Sequence, residues 1–325
     1  MTAIQVRGLR KSYGGLAAVR GVSLSIEEGE VYALLGHNGA GKSTIVEILE
    51  GHRTRDAGEV SVLGGDPARG GRAFRDRIGI VLQTSGVETE LTVREAIELY
   101  GTGYRRRRAA DEAIALVGLE EKAAARISTL SGGQQRRLDL ALGIVGHPEV
   151  LFLDEPTTGF DAAARRKSWE MIAELCRLGT TVLLTTHYLD EAEHLADRVG
   201  VLSRGVLVAE GTPAELTARQ GDTVVSFTVG AVDLEEMNGV LPVDASRNGQ
   251  RVEFTSTDPT RDVNAVTGWA IERGVRLDAL SVSRPTLEDV FLGLADVELV
   301  VDVDVDADVG VDAGVDAGVD VEGAE

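Results

Sequence analysis

The chain is short of cysteine, of long apolar runs and of positive charge. Cys176 is the one cysteine in 325 residues, which excludes an intrachain disulfide and any zinc site built on cysteine pairs. It lies in an apolar helical pattern with Met171, Ile172, Leu175 and Leu178, so a core thiol in a reducing, cytosolic setting is expected. No stretch approaches the ~18 apolar residues of a membrane span. The opening MTAIQVRGLRKS has no secretory apolar run. The expectation is a soluble protein whose membrane partner, if it has one, is another chain. Lys and Arg number 33 against 53 Asp and Glu. Residues 296–325 hold 11 acids and no bases, leaving 42 acids against 33 bases in the rest. Such an acidic body lacks the basic footprint of a nucleic-acid binder, so no nucleic-acid partner is expected.

What is present is strand–helix alternation. Ile4, Val6 and Leu9 form one apolar series, and Val22, Leu24 and Ile26 alternate with polar residues. Val31–Leu35 is a continuous apolar run, the pattern of a strand buried on both faces. Lys42–Glu50 reads as a helix stopped by Gly51. Ile78–Leu82, Val150–Leu153 and Thr181–Thr185 read as buried strands. Helical patterns run through Val93, Ile97 and Tyr100, then Ala113, Leu116 and Val117, then Leu138, Ala141 and Leu142. A helix is expected at Arg165–Leu178, and a hairpin around Arg204-Gly205. The fold class is therefore α/β, with a β-rich N-terminal part and a helical insert at about 88–145. Composition breaks near 218–222. Thr223–Val229, Arg251–Ser256 and Leu277–Val282 then predict strands, and Asn264–Glu272 and Thr286–Leu294 helices. The last opens with Thr286 and Asp289 in a capping-box pattern. The expected division is 1–220, a small α+β unit at 221–295, and an acidic Val/Asp tail at 296–325 whose composition predicts disorder.

Three motifs carry the chemistry. Gly36-His37-Asn38-Gly39-Ala40-Gly41-Lys42-Ser43 fits the phosphate-loop pattern between a strand and a helix. Its glycines let backbone N–H groups turn inward as an anion nest, and the helix start adds partial positive charge. Lys42 is placed to reach β- and γ-phosphates, Ser43 to ligate Mg²⁺, and Thr44 continues the site into the helix. Asp154-Glu155 ends a buried strand: Asp154 is the second magnesium anchor, Glu155 the candidate general base. Leu130-Ser131-Gly132-Gly133-Gln134 opens a helix and forms a second anion-binding start. One chain then has two phosphate sites and a single nucleotide loop, a mismatch resolved if two copies pair about a two-fold axis.

With these motifs together, residues 1–220 resemble the nucleotide-binding subunit of ATP-binding cassette (ABC) transporters. The resemblance implies ATP and Mg²⁺ as cofactors, hydrolysis coupled to transport, a membrane permease as partner, a second copy in a nucleotide sandwich, and a place on the cytoplasmic face of the membrane. It also implies roles by position. Tyr13 matches the aromatic that stacks on adenine. Gln83 matches the glutamine linking active site, metal and membrane partner. Asp161 matches the loop crossing the dimer interface, and His187 the switch histidine near the γ-phosphate. Taken alone, Tyr13 reads as an edge aromatic, Gln83 as a polar residue after a strand, Asp161 as a helix start and His187 as a cap. Phe160 stands where the family often has leucine.

Ser283-Arg284-Pro285-Thr286-Leu287-Glu288-Asp289-Val290-Phe291 resembles the C-terminal region of the drug-exporter branch, typified by daunorubicin-type efflux, and implies export of a drug-like or lipophilic cargo. The rivals are a non-transport ABC ATPase working on ribosomes or DNA, and a regulatory module that binds ATP without turnover; an intact Glu155 argues against the second. The basic run Arg105–Arg108 reads as a solvated face, with lipid head groups or the membrane partner as the alternative.

Overall fold

The structure, a computed structural model, describes residues 1–81, 86–219, 223–230, 237, 239–242, 245–283, 286–288 and 290–291. The elements in chain order are β1 (Thr2–Tyr13), β2 (Leu16–Glu27), β3 (Val31–Leu35), α1 (Lys42–Leu49), β4 (Ala57–Val62), α2 (Gly71–Arg75), β5 (Ile78–Val81), α3 (Val93–Gly101), α4 (Ala110–Leu116), α5 (Gly132–Ile144), β6 (Val150–Asp154), α6 (Ala162–Arg177), β7 (Thr181–Thr186), α7 (Leu189–Leu195), β8 (Arg198–Ser203), β9 (Val206–Gly211) and α8 (Pro213–Arg219). A smaller set follows: β10 (Thr223–Thr228), β11 (Ser246–Asn248), β12 (Arg251–Ser256), α9 (Pro259–Arg273) and β13 (Asp278–Ser283).

Six strands form the central sheet in the order β5-β6-β7-β3-β8-β9. All its pairings are parallel except β8 with β9. Because side chains alternate across a strand, β3 feeds two cores. Tyr32 and Leu34 enter one cluster with Phe152, Leu183 and the apolar residues of β1, β2, β4 and α1. Val31, Ala33 and Leu35 enter the other, with α3, α4, α5, α6 and α7. This is the physical content of the continuous VYALL run, all five residues of which are buried. The first face is roofed by an antiparallel sheet in the order β2-β1-β4, and the third sheet has the order β11-β12-β10-β13. The last sheet packs its own core, Val225, Phe227, Val252 and Phe254, against Val266 and Trp269 of α9.

The α/β class, the antiparallel N-terminal sheet and the helices between β5 and β6 agree with the sequence pattern. Several details differ. Strand β4 and the short α2 had no recognised signal. Tyr100, placed on the apolar face of α3, is 43% exposed. Cys176 is half-buried, its thiol donating to the Gly29 carbonyl oxygen at 2.7 Å, with burial raising its pKa. In the basic run, Arg108 pairs with Glu112, and Arg105 lies 3.4 Å from Asp76. Among the described residues no helix is long and apolar enough to cross a membrane. Leu82, Gln83, the 220–222 break, Arg284, Pro285, Asp289 and the 296–325 tail lie outside the described residues.

Candidate functional site

The sheet order sets the site. Leu34 and Leu35 of β3 pair with Thr185 and Thr186 of β7, and Thr185 pairs with Asp154 of β6. The loop after β3, the acids after β6 and the histidine after β7 therefore emerge side by side at the carboxyl ends of neighbouring strands, where open α/β sheets bind ligands.

The loop 36–41 needs its glycines for two reasons. Gly39 and Gly41 have φ of 84° and 105°, the left-handed region that side chains disfavour. A Cβ on Gly36 would sit 2.5 Å from the Leu202 oxygen, and one on Gly41 2.4 Å from that of Ala18. At Gly39 a Cβ would meet nothing, so this part of the loop is open to a ligand. His37, Asn38 and Gly39 form the exposed rim, and Ala40 is buried. The Lys42 ammonium is buried and donates to the carbonyl oxygens of Gly36 (2.6 Å) and His37 (3.2 Å). Burial lowers its pKa, opposed by Glu155 and Asp154. Ser43 and Thr44 open α1 at the accessible end of the loop.

Asp154 accepts a short hydrogen bond from the Thr185 hydroxyl. Glu155 has φ of 46°, uncommon for a residue with a side chain. Its Oε1 lies 3.1 Å from His187 Nδ1, and its Oε2 accepts from the Thr158 hydroxyl at 3.2 Å. Among the described residues no three His, Cys, Asp or Glu side chains cluster as a metal cage. The Asp154 carboxylate and the Ser43 hydroxyl are the oxygen donors that would suit Mg²⁺, which keeps its waters and is held by one or two carboxylates plus substrate phosphates.

The second helix start is separate. Ser131 caps α5: its Oγ accepts from the Gln134 amide (3.3 Å), and Gln134 Oε1 accepts from the Ser131 amide (3.0 Å), a reciprocal capping box. A Cβ on Gly132 or Gly133 would meet nothing, so neither glycine is required by internal packing. A cavity of about 400 Å³ is lined by Ser131, Gly133, Gln134, Gly159 and Asp161, with no residue of the phosphate loop. Asp161 caps α6, accepting from the Ala164 amide at 2.8 Å. The loop has its own cavity of about 560 Å³, lined by Gly36, His37, Asn38, His187, Glu288 and Phe291 among others. Tyr13, 38% exposed, ends β1 and carries the Arg53 guanidinium 5.1 Å from its ring centre. Gln83 lies outside the described residues.

Sequence reasoning did not place Phe291 beside the loop, where its ring centre is 4.5 Å from that of His37. It also missed the buried Leu287, whose amide donates to Glu193 at 2.7 Å, and Arg136, two residues beyond the serine–glycine motif. Contacts between segments so far apart in sequence leave no periodic signal.

A phosphate loop, two acids at the end of β6 and a histidine after β7, on a mostly parallel sheet with a separate helical insert, define a P-loop ATPase of the cassette type. The chain belongs to the ABC transporter family and is its ATP-binding kind of subunit: residues 19–158 match the ABC transporter family, and residues 224–286 match the ABC transporter domain-containing protein-like C-terminal domain. It is 40% identical over 305 residues to the daunorubicin resistance ATP-binding protein DrrA3 of Streptomyces coeruleorubidus, covering 90% of this chain and 96% of that one. It is likewise 40% identical to the Nod factor export ATP-binding protein I of Rhizobium meliloti (strain 1021), covering 91% and 89%. Among solved structures, the dimeric post-hydrolysis state of the ATP-binding cassette MJ0796 with ADP and Pi superimposes with a TM-score of 0.59 at 28% identity, over 64% of this chain and 98% of that one. CbiO1 from Clostridium perfringens gives 0.61 at 29%, over 67% and 92%. The chain is thus an ATP-binding, transport-coupled ATPase of exporter type.

Proposed function

We propose that two copies of this chain sandwich ATP and drive a separate membrane permease that expels a drug-like or lipophilic molecule. The supporting observation is the separation of the two cavities. The loop and His187 line one, Ser131 and Asp161 the other, so each half-site needs a second chain to complete it. In this reading residues 1–220 are the nucleotide-binding unit with its insert at about 88–145, 221–295 the accessory unit and 296–325 an acidic tail.

The geometry of the loop, Lys42, Asp154, Glu155 and His187 supports the roles given to them; those of Tyr13, Gln83, Asp161 and the partner's serine–glycine motif are carried by the family resemblance. Loop amides and Lys42 hold the β- and γ-phosphates, the Lys42 ammonium exchanging its contacts with the neutral Gly36 and His37 carbonyls for contacts with charged phosphate oxygens. Ser43, Asp154 and Gln83 would hold Mg²⁺, which would supply positive charge beside the phosphates. Glu155 orients and deprotonates the attacking water. His187 and the partner's Ser131 and Gly133 lie at the γ-phosphate end and stabilise charge developing there. Tyr13 stacks on the base, and Asp161 reaches across the seam. Because ATP contacts both copies, it favours the closed pair and hydrolysis releases it. Gln83 transmits the change to the permease, which keeps the chain at the cytoplasmic face of the membrane. An exported cargo is supported by the relatives, whose names record daunorubicin resistance and Nod factor export.

The test is the oligomeric state of the Glu155→Gln chain with Mg·ATP. A dimer that dissociates on exchange to ADP supports the reading; a persistent monomer, with and without permease-containing membranes, overturns it.

A further inference from the structure

The two arginines after the 130–134 motif go in different directions. Arg137 stays within the insert: its Nη1 donates to the carbonyl oxygens of Gly118 (2.7 Å) and Val117 (3.3 Å). Arg136 leaves the insert for the tip of β6. Its Nε donates to the Pro156 oxygen (3.0 Å), and its Nη2 to those of Asp154 (2.9 Å) and Glu155 (3.1 Å). The side chain is 11% exposed, and Asp139 lies 3.9 Å away. Burying a charge is costly without such acceptors. A rigid planar fork suits several carbonyls at once better than an ammonium would.

The three carbonyls belong to the segment that carries both acids. Glu155 holds its left-handed φ of 46°, and such a conformation persists only where its surroundings over-determine it. On one side the Glu155 amide donates to the Thr185 oxygen at 3.1 Å. On the other, Arg136 grips the carbonyls. Arg136 lies on α5 and Ser131 caps its start, so a rotation of that helix moves both.

We propose that Arg136 is a positioning residue linking the two nucleotide sites of a dimer. Engagement of Ser131 with the partner's nucleotide shifts α5, and the guanidinium carries that shift to the backbone under this chain's own Glu155. Each site then reaches its hydrolytic geometry only when the other is filled. The inference rests on the sandwich reading above.

The experiment uses the full chain with Arg136→Lys and Arg136→Gln. ATP hydrolysis is measured against ATP concentration, with ADP affinity and thermal unfolding as checks. The parent is expected to show a Hill coefficient above 1, bounded by its two sites. The lysine variant should lose about tenfold and the glutamine variant about a hundredfold in kcat, the scale of a misplaced reacting group, with KM and ADP affinity within about threefold of the parent. Both Hill coefficients should fall toward 1. If the glutamine variant does not fold, the lysine variant carries the test. A parent without cooperativity overturns the inference, as does a folded lysine variant with unchanged kcat and Hill coefficient. Failure of the Glu155→Gln chain to dimerise on ATP sinks the sandwich reading itself. Dimerisation combined with unchanged Arg136 variants sinks only the coupling.

Discussion

His187 Nδ1 and Glu155 Oε1 lie 3.1 Å apart, so the histidine after β7 and the carboxylate after β6 form one pair across the ends of neighbouring strands. Glu155→Gln is expected to cut steady-state hydrolysis by about 10²–10⁴-fold, the usual reach of a general base, while leaving ATP binding intact. Hydrolysis within twofold of the parent would remove Glu155 from the base role. His187→Ala should reduce kcat with little change in ADP affinity.

Lys42→Ala is expected to weaken ATP binding by about 2–3 kcal/mol, roughly 30- to 150-fold, the worth of a lost charge-assisted contact. Titration calorimetry checks this, and unchanged affinity would show the loop to be misassigned. The pH dependence has a definite sign. The charged ammonium attracts phosphate, and burial lowers its pKa. Affinity should therefore decline on the alkaline side earlier than an unperturbed lysine would allow.

Glu50 caps the end of α1, its side chain 3% exposed with His52 Nδ1 at 3.2 Å. Burial first, then Asp154 and Glu47, raises its pKa to about 8. A carboxyl that holds its proton more tightly when folded stabilises the fold below its unfolded pKa, and that contribution is lost as pH rises toward the folded one. Without nucleotide or Mg²⁺, stability should fall between about pH 4.5 and 8, by a few kcal/mol at most. Glu50→Gln should flatten this slope; parallel melting-temperature profiles would refute the assignment.

Leu287→Ala should destabilise the chain by about 2–4 kcal/mol, as expected for a buried leucine. The same change should loosen Phe291 from His37. Melting temperature and the ADP affinity of Phe291→Ala measure the two effects separately; no effect of either would mean that this segment is not part of the body's packing.

Much of the fold could be read in the sequence where one local pattern decided one element. Val31–Leu35 is buried on both faces and reads so. The Arg204-Gly205 turn has φ of 43° and 80°, matching the hairpin signal. Strand β4 escaped because Gly58, at φ of 92°, breaks a segment with little alternation. Tyr100 misled because its spacing fits the apolar face of α3 while its ring lies outside. For the site, the motifs named Lys42, Asp154 and Glu155, the family resemblance added His187, and strand order brings the four together. What no motif held was the link between motifs: Arg136 to 154–156, and Leu287 to Glu193.

The loop 36–41 is clasped from elsewhere in the chain. The Leu202 and Ala18 oxygens leave no room for side chains at Gly36 and Gly41, and the Gly205 amide donates to the Ala40 oxygen at 2.9 Å. Its shape is therefore set during folding, and the entropy of ordering it is not charged against the incoming triphosphate. A change in the Arg204-Gly205 turn, remote along the chain and touching no ligand, would alter how fast and how tightly the guest is caught.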